Sequence, residues 1–284
     1  MSRTHIVSFA TDLSRVEALS ESARTNGFDV TVLSDSQWDG YHQKLISTKD
    51  YVSSHLHEDD LLLFVDAYDV VFTRALEDIE AEFRRFQSPL VFGAEMNCWP
   101  GYFRRSYWAR SPSKPSSAHK YLNSGFYIGT KAGVLDFLCW KSSSDLVDLC
   151  KDGGDQVYAH KYFLERGFRV GVKLDHACTL VLNMHHVRWS ELLIDQGRLV
   201  NMALGTRPCA LHFNGGSFRD GTGKDMTSAF LDLIAESARD DSMKSIEAAP
   251  AFHKGNVPLS QLNNKSYSLL GDKLAEWRSM VAGF

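Results

Sequence analysis

The stretch Leu61-Leu62-Leu63-Phe64-Val65-Asp66-Ala67-Tyr68-Asp69-Val70 constrains the fold more than any other part of the chain. Five apolar residues in a row, with no polar alternation, read as a strand buried on both faces, as in parallel sheets covered by helices. Two carboxylates close the run, and ligands of open α/β sheets bind beyond the carboxyl ends of such strands. Asp66 and Asp69 therefore stand where a divalent cation and a phosphate ester are held, and hard oxygen ligands suit Mg²⁺ or Mn²⁺. The plainer alternative is that Asp66 ends the strand and Asp69 caps a turn. A short Asp-x-x-Asp pair alone does not decide between the two.

The flanking sequence supports the sheet. Thr4–Ala10 reads as a strand and Leu13–Asn26 as a helix closed by Gly27. Asp29–Ser34 and Gln43–Leu56 repeat the strand–helix pair, and Leu61–Asp66, Ala75–Phe86 and Pro89–Glu95 continue it. This alternation predicts an α/β fold, a central, mainly parallel sheet flanked by helices. Residues 96–120, with Pro100, Pro112 and Pro115, read as a loop. Beyond it the pattern predicts strands at Tyr121–Thr130, Arg169–Leu174 and Pro208–Phe213, and helices at Gly133–Trp140, Asp155–Arg166 and Thr227–Arg239. Residues 240–265 are polar and turn-rich and read as a linker. A last amphipathic helix spans roughly Tyr267–Val281.

Composition narrows the function classes. In 284 residues, 44% hydrophobic and 12% aromatic content specifies a sizeable core, and a net charge of −4 gives no global attraction to nucleic acid or membrane. No apolar stretch approaches a membrane span, and the first ten residues lack a basic segment followed by an apolar one. The five cysteines (Cys98, Cys139, Cys150, Cys178, Cys209) are scattered and form no Cys-x-x-Cys pair. A reducing, cytoplasmic setting is therefore the expectation.

Further motifs follow in order: Phe92-Gly93-Ala94-Glu95, Cys98-Trp99-Pro100, Tyr121-Leu122-Asn123-Ser124-Gly125, Gly154-Asp155-Gln156, Leu174-Asp175-His176 and His212-Phe213-Asn214-Gly215. Together with the opening run, this order resembles the glycosyltransferase domain of the procollagen lysyl hydroxylase family. That family has a GT-A (Rossmann-like) fold and uses a UDP-sugar with Mn²⁺. The resemblance covers roughly residues 4–220 and implies a transferase domain over 1–220, with 221–284 as a C-terminal extension.

The resemblance implies that Asp66, Asp69 and His212 are the metal ligands. Two carboxylates and a neutral imidazole suit Mn²⁺ better than Mg²⁺, and a cation there would neutralise a diphosphate leaving group. Without the resemblance, His212 reads as a core histidine at a strand end. Tyr68 corresponds to the aromatic that lies against the base, and Lys44, after Gln43, to a lysine that reaches the donor. Ser124, Gly125, Asn214 and Gly215 complete the expected donor-binding set, the glycines allowing close backbone approach. Asp155, Trp99 and Asn123 are the catalytic candidates. Asp155 would orient sugar hydroxyls or stabilise positive charge at the anomeric carbon, whereas its plain reading is a helix N-cap. Trp99 would form an active-site wall. The chain departs from the family at Gly154, where a second Asp is expected.

The expected reaction is transfer of glucose or galactose from UDP-glucose or UDP-galactose to a hydroxyl on a macromolecule, a hydroxylysine-type polypeptide first. The segment 96–135 opens a second acceptor class. Arg104, Arg105, Arg110, Lys114, Lys120 and Lys131 are interleaved there with Tyr102, Phe103, Tyr107 and Trp108 and with no acidic residue. Such a mixture can track a phosphate backbone and stack bases, and relatives of this group are associated with transfer to hydroxymethylpyrimidines in DNA. A solvated flap over an anionic donor is the plainer account. A nucleotide-sugar hydrolase, a transferase with a small acceptor, and an inactive transferase-like binding module are the remaining alternatives.

Overall fold

The computed structural model describes residues 2–35, 37–110, 117–215, 227–240 and 243–245. Strands β1 (Thr4–Ala10), β2 (Thr31–Ser34) and β3 (Leu61–Val65) alternate with helices α1 (Glu17–Thr25) and α2 (His42–His55). β4 (Val70–Phe72), α3 (Leu76–Phe86), β5 (Leu90–Glu95), α4 (Arg104–Arg110) and β6 (Tyr121–Thr130) follow. Then come α5 (Lys131–Leu138), α6 (Ser143–Lys151), α7 (Gly154–Tyr162), β7 (Lys173–Asp175) and β8 (Val181–Asn183). The described chain closes with β9 (Leu192–Asp195), β10 (Arg198–Asn201), β11 (Ala210–His212), α8 (Thr227–Asp240) and β12 (Met243–Ser245).

Six strands form the central sheet in the order β2-β1-β3-β6-β5-β7. Only β6 runs against its neighbours β3 and β5; the other pairings are parallel. β3 sits mid-sheet with all five residues buried, as its unbroken apolar run demands. Its side chains divide by the strand period: Leu62 and Phe64 join the core under α2, α5 and α7, and Leu61, Leu63 and Val65 join the core under α1 and α3. Local chemistry sets the helix ends. Thr130 and Ser142 cap α5 and α6 by accepting from the amides of Gly133 and Asp145. Helix α3 carries Glu77 and Asp78 in its first turn and Arg84 and Arg85 in its last, in keeping with the helix dipole.

Two features of the sheet build the site. β5 and β6 shift register between Phe92 and Gly93, pairing Phe92 with Tyr127 but Gly93 with Asn123, so Ser124, Gly125 and Phe126 bulge from that ladder. A second sheet, β4-β11-β8, pairs β11 antiparallel to β4 and parallel to β8, bringing His212 opposite both Val70 and Asn183.

Several elements differ from the sequence expectation. Residues 96–120 are not loop throughout, because Gly101–Phe103 forms a 3-10 turn leading into α4, whose Tyr107 is buried. The helix expected over Asp155–Arg166 is α7 followed by a π-helical turn, Phe163–Gly167. The strand placed at Arg169–Leu174 is only Lys173–Asp175. Within the supposed linker 240–265, Met243–Ser245 pairs with β9 in a third sheet, β10-β9-β12. Phe230 and Leu233 of α8 share a core cluster with Val71, Leu211 and Phe213, so this part of the extension is packed on the transferase-like body. The remainder of 240–265 and the helix expected at Tyr267–Val281 lie outside the described residues, as does Lys114.

Candidate active site

Asp66, at the end of β3, and Asp69, which leads into β4, are separated by a tight turn. The amide of Asp66 donates to Gly125 O at 2.8 Å, and that of Phe213 donates to Asp69 O at 2.7 Å. These bonds close β3, the β6 bulge, β4 and β11 around one point. There, ligand atoms of Asp66, Asp69 and His212 all lie within 4.8 Å of one another. His212 Nε2 is 3.3 Å from Asp69 Oδ1 and 3.7 Å from Asp66 Oδ2.

The tautomer of His212 follows from its neighbour. Asn183 donates through Nδ2 to Ala94 O at 2.9 Å, which leaves its Oδ1 as the acceptor 2.8 Å from His212 Nδ1. Nδ1 therefore carries the proton and, in the neutral ring, the Nε2 lone pair faces the carboxylates, as a metal-binding imidazole requires.

Lys44, on α2, reaches into the same place. Its Nζ donates to Asp66 Oδ1 at 2.5 Å and to Asp155 Oδ2 at 3.1 Å. Asp66, Asp69 and Asp155 against one ammonium leave the site negative before any cation is added. Burial would depress the Lys44 pKa, but Asp155 and Asp66 outweigh it and hold it above the usual lysine range. Burial raises Asp66 against the pull of Lys44. Burial also acts upward on Asp69, yet the charge and hydrogen bond of His212 bring it below the usual carboxylate value. Burial works to lower His212, and Asp69 reverses this and raises it.

Gly125 completes the cradle. A Cβ there would collide with the His212 ring and the Asp66 carboxylate, so only glycine lets the bulge approach the trio. Two carboxylates, an oriented imidazole and this cleared space fit a divalent cation of the Mn²⁺ or Mg²⁺ kind.

The other expected residues surround this centre. Asp155, in the first turn of α7, is buried and pairs with Lys44; Gly153 is the N-cap residue, with no side-chain cap bond. At Gly154 the backbone has φ +70°, and a Cβ would come within 2.9 Å of the Tyr41 ring. Backbone and Tyr41 together strain any side chain placed where the family pattern has a second Asp. Asn123 donates to Glu95 Oε1 at 3.1 Å and accepts from Gly125 N at 2.9 Å, bracing the bulge. Ser124 N donates to Gln156 Oε1 at 2.7 Å. Asn214 Nδ2 donates to Glu95 Oε2 at 3.0 Å, and Gly215, at φ +74°, lies against the His185 ring. The Tyr68 hydroxyl accepts from the amides of Thr11 and Asp12, both at 2.9 Å, and the Arg15 guanidinium covers its ring at 4.4 Å. Trp99 is 54% exposed and precedes a cis bond to Pro100; its indole borders Gly153. Its carbonyl accepts from buried His160 at 3.1 Å.

Three residues outside the expected set, Glu95, Gln156 and Asn183, also brace the site. Glu95 ends a buried apolar strand just as Asp66 does, and that parallel was a usable signal. It is buried among Asn123, Asn214 and Gln156, and burial pushes its pKa up to about 7 against the amides and His212. Asn183 gives no such signal: it lies on a strand of three residues, too short for a period.

Fold and site together define the class, a GT-A-type glycosyltransferase domain. The chain belongs to the family described as the PLOD GT domain, whose model matches residues 3–219. It is 31% identical over 211 residues to a procollagen-lysine,2-oxoglutarate 5-dioxygenase of Drosophila melanogaster, covering 68% of this chain and 28% of the relative. To procollagen-lysine,2-oxoglutarate 5-dioxygenase 1 of Mus musculus it is 30% identical over 182 residues, 62% of this chain and 24% of the relative. To the multifunctional procollagen lysine hydroxylase and glycosyltransferase LH3 of Homo sapiens it is 28% identical over 166 residues, 56% of this chain and 21% of the relative. The matches thus span about a quarter of the length of these curated relatives.

Proposed function

We propose that the chain transfers glucose or galactose from a UDP-sugar to a hydroxyl of a hydroxylysine-type polypeptide, with Mn²⁺ or Mg²⁺ held by Asp66, Asp69 and His212. The observation that carries this reading is the convergence of that trio around an imidazole whose free nitrogen faces both carboxylates. A cation bound there supplies charge neutralisation and Lewis acidity for a departing diphosphate. The remaining work belongs to the chain. Lys44 fixes the Asp66 and Asp155 carboxylates relative to one another. Asp155 is the group for the transferred sugar, orienting hydroxyls and stabilising positive charge at the anomeric carbon. Asn123 positions Ser124 and Gly125 along the donor, with Asn214 and Gly215 flanking. Tyr68 supplies a wall for the base and Trp99 a wall for the sugar. The relative from Homo sapiens, named as both a lysine hydroxylase and a glycosyltransferase, supports the polypeptide acceptor.

The test offers labelled UDP-glucose and UDP-galactose with a hydroxylysine peptide and with DNA containing hydroxymethylpyrimidine, side by side. Label is expected in the peptide and is lost with EDTA or in Asp69→Ala. Label in DNA alone would overturn the acceptor, and no turnover of either donor would identify an inactive binding module.

A further inference from the structure

The turn that opens α7 carries two glycines, Gly153 and Gly154, and each meets an aromatic side chain from a different segment. A Cβ at Gly153 would lie 3.5 Å from Cη2, the tip of the Trp99 indole. One at Gly154 would lie 2.9 Å from Tyr41 Cγ and 3.1 and 3.3 Å from Cδ2 and Cδ1. Near-equal distances to the two Cδ atoms, both longer than that to Cγ, put this point over the face of the ring. Tyr41 covers the backbone at the position where the family pattern carries its second acid.

Tyr41 is the N-cap residue of α2, three positions before Lys44, whose Nζ donates to Asp155 at 3.1 Å. Ring, ammonium and carboxylate are thus brought together from α2 and α7. Trp38 meets Tyr41 edge to face, with ring centroids 5.2 Å apart and planes at 89°, which fixes the ring's orientation. Tyr41 is still 52% exposed, as Trp99 is 54% exposed, so both retain surface for a ligand.

A ring and a carboxylate recognise different parts of a hexose. The carboxylate accepts from hydroxyls, whereas the ring packs against C–H surface and adds no charge. Asp66, Asp69 and Asp155 already stand against one ammonium, and a fourth carboxylate would add repulsion towards a diphosphate.

We propose that Tyr41 binds the transferred sugar, a role that rests on the donor reading above. Its ring packs against the hexose beside Asp155, with Trp99 on the other side of the Gly153–Gly154 turn, and stands in for the acid of the family pattern.

The test measures affinities for UDP, UDP-glucose and UDP-galactose by calorimetry with Mn²⁺, on wild type, Tyr41→Phe and Tyr41→Leu. Leucine keeps an apolar cover over Gly154 and removes the ring, whereas phenylalanine removes only the hydroxyl. In Tyr41→Leu the Kd of the preferred UDP-hexose should rise by about fivefold, the ordinary worth of an aromatic contact, while that of UDP stays within about twofold. Tyr41→Phe should match wild type for all three ligands. An unchanged UDP-hexose affinity in Tyr41→Leu, or parallel losses for UDP and UDP-hexose, would make Tyr41 a cover for α7 alone and overturn the proposal. Equal losses in Tyr41→Phe and Tyr41→Leu would also overturn it, because the ring would not be what binds. Wild type that binds none of the three ligands overturns the donor reading itself, and this role with it. Should Tyr41→Leu fail to fold, Tyr41→Met takes its place with the same expectation.

Discussion

Asn183 and His212 face each other on paired parallel strands, and the 2.8 Å bond between Oδ1 and Nδ1 fixes which imidazole nitrogen looks at Asp66 and Asp69. Neither residue can be exchanged for a shape-alike without changing that orientation. Asn183→Leu keeps the volume and removes the acceptor. Outer partners of metal-binding histidines commonly contribute about 10–100-fold to metal affinity. Mn²⁺ affinity, read by calorimetry in the presence of UDP, should fall by that order while circular dichroism stays native. An unchanged Mn²⁺ affinity would return His212 to a core role.

Asp155 is held by Lys44, which keeps Asp66 as a second anion when Asp155 is neutralised. Asp155→Asn should therefore fold, with a stability loss of about 1–3 kcal/mol from the weakened bond. Turnover should drop by about 10²–10³-fold, the usual cost of removing a transition-state electrostatic partner. Steady-state kinetics beside a denaturant melt separates the two. Near-normal turnover would make Asp155 a structural partner of Lys44 alone.

Gly154 stands where the family pattern has an acid, at φ +70° and against Tyr41. Introducing Gly154→Asp should destabilise the fold by about 1–3 kcal/mol through the left-handed backbone and the collision. It should not raise activity, since any gain in charge is offset by displacement of the α7 start. Adding Tyr41→Ala should recover part of the stability, the backbone share remaining. Thermal melts of the two variants check this.

Burial holds His160 and His119 neutral, with pKa values lowered to about 4 from an ordinary 6.5. The unfolded chain takes up these protons first. Their contribution to stability is thus complete above about pH 6.5 and is lost as pH falls towards 4. Each site contributes a slope of up to about 1.4 kcal/mol per pH unit within that window. Denaturant midpoints should fall between pH 7 and 5, and the fall should be shallower in His160→Asn than in wild type. Parallel slopes would mean that other groups govern the acid side.

The sequence by itself determined the sheet's centre and the place of Asp66 and Asp69 beyond its end, because an unbroken apolar run ending in carboxylates admits few placements. It also located most helices, through caps and periodicity that act within a few residues of one another. Tertiary structure decided what depends on distant pairing. The β5–β6 register shift turns Ser124 and Gly125 to the site. The β8–β11 pairing supplies Asn183, and Lys44 joins Asp66 and Asp155 from 22 and 111 positions away. The cationic segment shows the same division. Its composition was plain in the chain, but only packing against the π turn and β7 could place its aromatics around a cavity apart from the donor site. Strands of three residues, bulges and buried polar networks leave no local period, since their stabilising partners are distant in the sequence and adjacent only once the chain has folded.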